Sequence, residues 1–229
     1  MGFFSKTNNS IAVLGDIHFP FHNKKALKEA LKIINSEKPA YVVQIGDLYD
    51  QYSFSRFTRK NLLLPQQELE RARLQALRMW EACYSKSRRY QLFGNHDVRL
   101  IKRLAESIPE AQEILGDSFK KDYYTFPNVE TIFDDRKELV INGITFIHGY
   151  RSRLGDHSKF NRSSTVVGHS HVGGVVFEQL NNKIVWELNA GYLADETAEP
   201  MRYRPQLTSK WTLGLGLIDD KGPRFIPLE

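Results

Sequence analysis

The chain has 229 residues, of which 41% are hydrophobic and 26% charged, with a formal net charge of +5. That composition is ordinary for a globular protein and excludes disordered, collagenous and low-complexity classes. The single cysteine, Cys83, excludes an internal disulfide scaffold; no run approaches the ~18 apolar residues of a membrane span, and the opening MGFFSKTNNS lacks a secretory signal pattern, so a cytoplasmic protein with no membrane partner is expected.

Ile11–Leu14 is a short apolar run that ends at Gly15-Asp16. In residues 24–36, Ala26, Leu27, Ala30, Leu31, Ile33 and Ile34 recur at helical spacing, and Pro39 closes the segment. Residues 41–45 read as a strand ending at Gly46-Asp47. Strand, helix and strand in this order predict a parallel pair. Residues 62–85 read as a long helix with Pro65 in its first turn and Leu69, Ala72, Leu77, Trp80 and Cys83 toward a core. Cys83 is expected to pack rather than do redox chemistry. Residues 90–93 form a third strand ending at Gly94-Asn95. An amphipathic stretch covers 98–107, Pro109 breaks it, and a shorter helical piece is expected to Leu115.

The second half is richer in hairpins. Asn142-Gly143 joins the runs 139–141 and 144–147, and Asn-Gly accepts the positive φ of a tight turn. Thr165–Val167 ends at Gly168-His169. Asn181-Asn182 separates 175–180 from 183–188, and residues 219–222 separate 213–218 from 224–227. Residues 191–210 carry no clear pattern, and a loop of that length in a compact domain is often functional. Together the elements predict an α/β fold of two packed mixed sheets flanked by helices, forming one domain over 1–229.

Five strands end in residues of one chemical kind: Asp16-Ile17-His18, Gly46-Asp47-Leu48-Tyr49-Asp50, Gly94-Asn95-His96-Asp97, His148-Gly149 and Gly168-His169-Ser170-His171. Ligands of open α/β sheets sit outside the carboxyl ends of strands, where these residues would meet. Imidazole, carboxylate and amide oxygen suit first-row divalent metals. Asp16, His18, Asp47, Asn95, His148, His169 and His171 exceed what one tetrahedral ion needs. They suit two ions ~3.5–4 Å apart, the geometry of phosphate-ester hydrolysis.

The ordered series DIH, GDLYD, GNHD, HG and GHSH resembles the calcineurin-like metallophosphoesterase superfamily, most closely in its nuclease, phosphodiesterase and nucleotide-pyrophosphatase branches. The resemblance implies a four-layer sandwich with a dinuclear site. Asp16, His18 and His171 would hold the first ion, Asn95, His148 and His169 the second, and Asp47 would bridge. His96 would be the catalytic histidine and Asp50 its orienting partner. A hydroxide bridging the ions would attack the phosphoryl group, and His96 would serve the leaving oxygen. Manganese is the expected metal, with iron, zinc, cobalt or nickel compatible. One departure matters: related protein phosphatases read GDxxDRG, with an arginine that grips phosphate, whereas Gln51-Tyr52 follows Asp50 here.

Between Gln51 and Arg89, nine basic residues stand against three acidic ones. Arg56, Arg59 and Lys60 alternate with Tyr52, Phe54 and Phe57, a pattern suited to stacking bases and tracking phosphates. With Arg99 and Arg151 (and Arg153) they are expected to form a basic rim that binds nucleic acid. His22 and His157 match no motif and are expected on the surface or behind the ligands; Asp97 is expected to cap the following helix. The expected activity is phosphodiester cleavage, nuclease-like on DNA or RNA. The alternatives are a phosphomonoesterase or nucleotide pyrophosphatase acting on small molecules, and a scaffold that binds without catalysis. A homodimer is compatible, since a second copy would complete the substrate groove.

Overall fold

The computed structural model describes residues 9–56, 63–202 and 210–229. Eleven strands and five helices follow in the order β1 (Ile11–Leu14), α1 (Lys24–Glu37), β2 (Tyr41–Gln44), α2 (Pro65–Ala82), β3 (Arg88–Leu92), α3 (Arg99–Ser107), α4 (Pro109–Tyr124), β4 (Val129–Ile132), β5 (Leu139–Ile141), β6 (Ile144–Phe146), α5 (Asp156–Asn161), β7 (Thr165–Val167), β8 (Gly174–Leu180), β9 (Lys183–Asn189), β10 (Gly214–Asp219) and β11 (Gly222–Pro227). Asn23 starts α1 by accepting the N–H groups of Lys25 and Ala26 at 3.1 and 3.0 Å. Pro65 and Pro109 open α2 and α4 at positions where a missing N–H costs nothing.

The first sheet has the order β11-β10-β1-β2-β3-β4 and the second β5-β6-β7-β9-β8. β1, β2, β3 and β4 run parallel, as do β6, β7 and β9, while the hairpins add antiparallel edges. Side chains alternate across β1 and β2. Ala12, Leu14 and Val42 enter the core beneath the helices; Ile11, Val13 and Val43 enter the core between the sheets. The first sheet is thus covered on both faces, which explains its continuous apolar runs.

Three elements differ from the sequence-based expectation. α4 continues to Tyr124 instead of stopping at Leu115, burying Phe119 and Tyr124 against the helix-side core. β4 pairs with β3 although its four residues are only partly buried. α5 is a single short helix whose N–H groups are held from another strand. The buried Glu187 of β9 accepts from Gly155 and His157 at 2.8 Å and from Ser158 at 2.9 Å. Cys83 is buried at the end of α2, as expected, and burial pushes its thiol up to about 12.

The Phe225 ring of β11 joins the two sheets. It lies where a Cβ at Gly173, Gly191 or Gly214 would be. Gly214→Ala, which would also press on the Ile226 carbonyl, should lower unfolding free energy by about 1–3 kcal/mol in equilibrium urea titrations. Burial raises the pKa of Glu187, but the His157 ring and the Ser158 and Gly155 N–H groups outweigh it and hold the carboxyl below its ordinary 4.5. Its contribution is therefore present above pH 4.5 and lost as pH falls through the lowered value. Glu187→Gln should be less stable at pH 7 and lose less stability on acidification, measured by urea midpoints across pH.

Candidate metal centre

Every donor leaves the carboxyl end of a strand: Asp16 and His18 after β1, Asp47 and Asp50 after β2, Asn95 and His96 after β3, His148 after β6, His169 and His171 after β7. The chain turns sharply to present them. His18, Asp47, Gln51, His169 and His171 adopt left-handed φ of 56, 52, 53, 65 and 61°. Such conformations cost non-glycine residues of order 1–3 kcal/mol each and persist where the surroundings fix them. Gly46, at φ 106°, and Gly149, at φ 100°, supply turns that only glycine makes easily.

The other motif glycines act by close approach. A Cβ on Gly94 would strike the Asp47 carboxylate, and one on Gly168 the Asp16 carboxylate. A Cβ on Gly46 would strike the His148 ring. Each donor therefore sits in a notch left by a glycine of a different strand.

The donor atoms converge. Asp47 Oδ2 lies 3.4 Å from His148 Nε2 and 3.9 Å from Nε2 of both His18 and His96. Nε2 of His171 is 3.4 Å from His18 Nε2 and 3.6 Å from Asp16 Oδ1. Asn95 Oδ1 is 2.9 Å from His169 Nδ1 and 3.2 Å from His148 Nε2. Three groups (Asp16, His18, His171; His18, Asp47, His96; Asp16, Asp47, His148) place one atom from each residue within 4.8 Å. The structure thus brings together all seven expected donors.

The ring orientations suit metal binding. His18 Nδ1 donates to Asp50 Oδ2 at 2.9 Å and His148 Nδ1 to the Ile45 carbonyl at 3.1 Å. With Nδ1 so occupied, each presents Nε2 to the centre, the orientation that metal-ligating histidines use. Burial pushes Asp47 up, but the charges of His148, His96 and His18 hold it well below the carboxylate range. Asp16 is lowered against burial chiefly by His171. His148 is raised to about 10, since Asp47 outweighs burial. The carboxylates thus demand positive charge at this point, and the mixed donor set fits divalent cations.

Asp50 is buried and shared. Its Oδ2 is closest to His18 and 3.4 Å from His96 Nδ1, which also donates to the Asp50 carbonyl at 3.1 Å. Arg99 Nη1 donates to the same carbonyl at 2.9 Å, and Arg99 Nη2 lies 2.8 Å from His96 Nε2. Asp97 does not cap α3, whose N-cap is Val98 and which has no side-chain cap. Its carboxylate instead accepts from Leu48, Tyr49 and Gly94 at 3.2, 2.9 and 2.9 Å, tying the second motif loop to the third. Burial and the Asp47 charge push it up to about 7. Gln51 is also buried. It donates to the Asp97 carbonyl at 2.6 Å and accepts from Leu100 N at 2.8 Å, so it points away from the centre.

Arg56, Arg99 and Arg151 of the expected basic rim have partners within the chain. Arg56 pairs with Glu106, Arg99 turns inward, and Arg151 lies 5.2 and 5.1 Å from the Tyr150 and Phe160 rings. Arg59, Lys60 and Phe57 lie outside the described residues. His157 is buried rather than on the surface, and its Nε2 accepts from Tyr150 N and Arg151 N at 3.2 and 3.3 Å. His22 is half-buried beside α1 and α2, and burial lowers it to about 4.

Two cavities flank the donors and share Asn95 and His169. One, of about 390 Å³, also meets His18, Asp47, His96 and His171, with Val172, Met201, Lys210 and Trp211 opposite. The other, of about 560 Å³, also meets His148, Tyr150 and Arg136. Met201, Lys210, Trp211, Tyr150 and Arg136 belong to no motif. The signals at hand were the patternless stretch ending at Lys210 and its adjoining tryptophan.

A model of the family described as calcineurin-like phosphoesterase matches residues 10–198. A Mycobacterium phage L5 protein known as Gene 54 protein is 24% identical over 244 residues, spanning 95% of this chain and 93% of its own length. Its namesake in Mycobacterium phage D29 is 27% identical over 241 residues, with spans of 95% and 93%. Among solved structures, Yfce, a phosphoesterase from E. coli, aligns over 92% of this chain and 88% of its own, at 16% identity and a TM-score of 0.42.

Gly94→Ala and Gly168→Ala should each displace a carboxylate without removing it. Both should remain folded by circular dichroism yet retain fewer manganese ions after dialysis than the wild type, as read by atomic emission. Full metal retention in both would show that the glycine notches do not position the donors.

Proposed function

Because the chain belongs to the calcineurin-like phosphoesterase family and is a metal-dependent phosphoesterase, we propose that it hydrolyses phosphodiester bonds with a nuclease-like preference, all of 1–229 serving as one domain. The observation that carries this reading is the pair of cavities meeting at Asn95 and His169. A diester has two organic arms, and each finds a cavity; a monoester would fill only one. Gln51 adds support. Where related protein phosphatases present an arginine to a dianionic monoester, Gln51 is buried and turned toward Asp97 and Leu100.

Asp16, His18 and His171 would hold one divalent ion and Asn95, His148 and His169 another, with Asp47 shared between them; manganese suits these donors. Such ions lower the pKa of bound water and neutralise phosphoryl oxygens. The remaining chemistry belongs to the chain. His96 keeps a proton on Nδ1 by donating to the Asp50 carbonyl, so Nε2 is the atom that exchanges a proton with the leaving oxygen. Arg99 lies against Nε2 in this structure, and a bound phosphoryl oxygen would draw its guanidinium away and free that nitrogen.

The wild type loaded with manganese should cleave bis(p-nitrophenyl) phosphate faster than p-nitrophenyl phosphate, and Asp47→Ala should cleave neither. The reverse preference would overturn the diester reading. His96→Ala should lose about 10²–10⁴-fold on diesters with nucleoside leaving groups. It should lose much less on nitrophenyl esters, because nitrophenolate leaves without a proton. An equal loss on both would remove the proton-donor role.

A further inference from the structure

Each cavity beside the donors carries one aromatic ring and one cation. The smaller has Trp211 and Lys210; the larger has Tyr150 and Arg136. We infer that the substrate is a single-stranded nucleic acid whose bases on either side of the scissile phosphate stack on Trp211 and Tyr150, with the neighbouring phosphates held by Lys210 and Arg136. The inference rests on the phosphodiesterase reading and names the substrate class of the same site.

Both rings are fixed before any ligand arrives. Trp211 packs edge-on against His171, with centroids 4.5 Å apart and planes at 69°. The next residue, Thr212, donates its N–H to the His171 carbonyl at 2.9 Å, so the segment carrying Trp211 is stitched to a donor loop. Tyr150 packs edge-on against buried His157 at 5.1 Å, and its N–H donates to the same ring. Its side chain is still 57% exposed. Each ring is held by a T-shaped contact, and Arg151 lies over Tyr150 from one side, so little entropy is lost when a base stacks on the surface left open to the cavity.

The cations are available. Among the described residues neither Lys210 nor Arg136 makes an ion pair, whereas Arg56 pairs with Glu106 and Lys102 with Asp135. Volumes of about 390 and 560 Å³ each accept a nucleoside-sized group. A platform that stacks a base needs an unpaired one, because duplex bases already cover each other's faces. The geometry therefore selects a single strand over a duplex.

Binding is the cleaner test. Fluorescein-labelled single-stranded dT10 would be titrated by anisotropy against His96→Asn protein in manganese, beside a labelled hairpin duplex. The single strand should bind more tightly. Trp211→Ala and Tyr150→Ala in that background should each weaken it by about 5- to 150-fold, the range for one base stack. Trp211→Phe and Tyr150→Phe should recover most of the affinity, which separates stacking from misfolding. Lys210→Ala and Arg136→Ala should each lower the slope of log Kd against log salt by about 0.7. Equal duplex and single-strand affinity, or alanine variants that bind like the parent, would overturn the inference. Wild-type cleavage of bis(p-nitrophenyl) phosphate without single-strand binding would overturn it while leaving the phosphodiesterase reading intact. Failure to cleave any diester would remove both.

Discussion

The close seating of charged side chains in glycine notches governs this protein. Asp47 lies against Gly94, Asp16 against Gly168, and the His148 ring against Gly46. Each contact joins loops from different strands, and two of the three join different sheets. Carboxylates this deeply buried are costly unless a positive charge meets them. The imidazoles around Asp47 and Asp16 answer that demand, and cations fit the same place. The donor cluster is therefore also the point where the two sheets are aligned at their carboxyl ends.

The scaffold opposes that cost with apolar burial. Both faces of β1 and β2 are covered, one by helices and the other by the second sheet. Five left-handed non-glycine residues in the motif loops are tolerated because polar clamps hold those loops. Asp97 binds the second loop to the third. Asn189 donates to the Gly168 carbonyl at 2.8 Å and accepts from Gly191 N at 2.9 Å, bracing the last donor loop against the segment that leads to Trp211. Strain at the centre and satisfaction behind it are two parts of one construction.

The strand ends and their donors were legible because motif residues stand directly after short apolar runs. Parallel strands place such residues on one edge by topology alone. β4 was not legible: Val129, Glu130, Thr131 and Ile132 form a partly buried edge with no strong alternation. α4 was read too short because charged residues fill 117–122 and only Phe119 and Tyr124 mark its buried side. α5 is hard to see in six residues, since its support comes from Glu187, 29 or more positions away. Asp97 could be read locally as a helix cap, and only the fold shows that it reaches back across 48 and 49 positions to Tyr49 and Leu48. The basic residues were legible only as a count, because composition does not show that Arg56 pairs with Glu106 or that Arg99 turns toward Asp50.

The Phe225 ring closes over three glycines, one beside the last donor loop, one after β9 and one at the start of β10. The ring lies beyond residues 10–198, the span that matches the family. The terminal hairpin is thus tied to the rest of the fold twice, by this socket and by the pairing of β10 with β1. Any shift of the ring would be felt at once in β10, at the exit of β9 and beside the last donor loop.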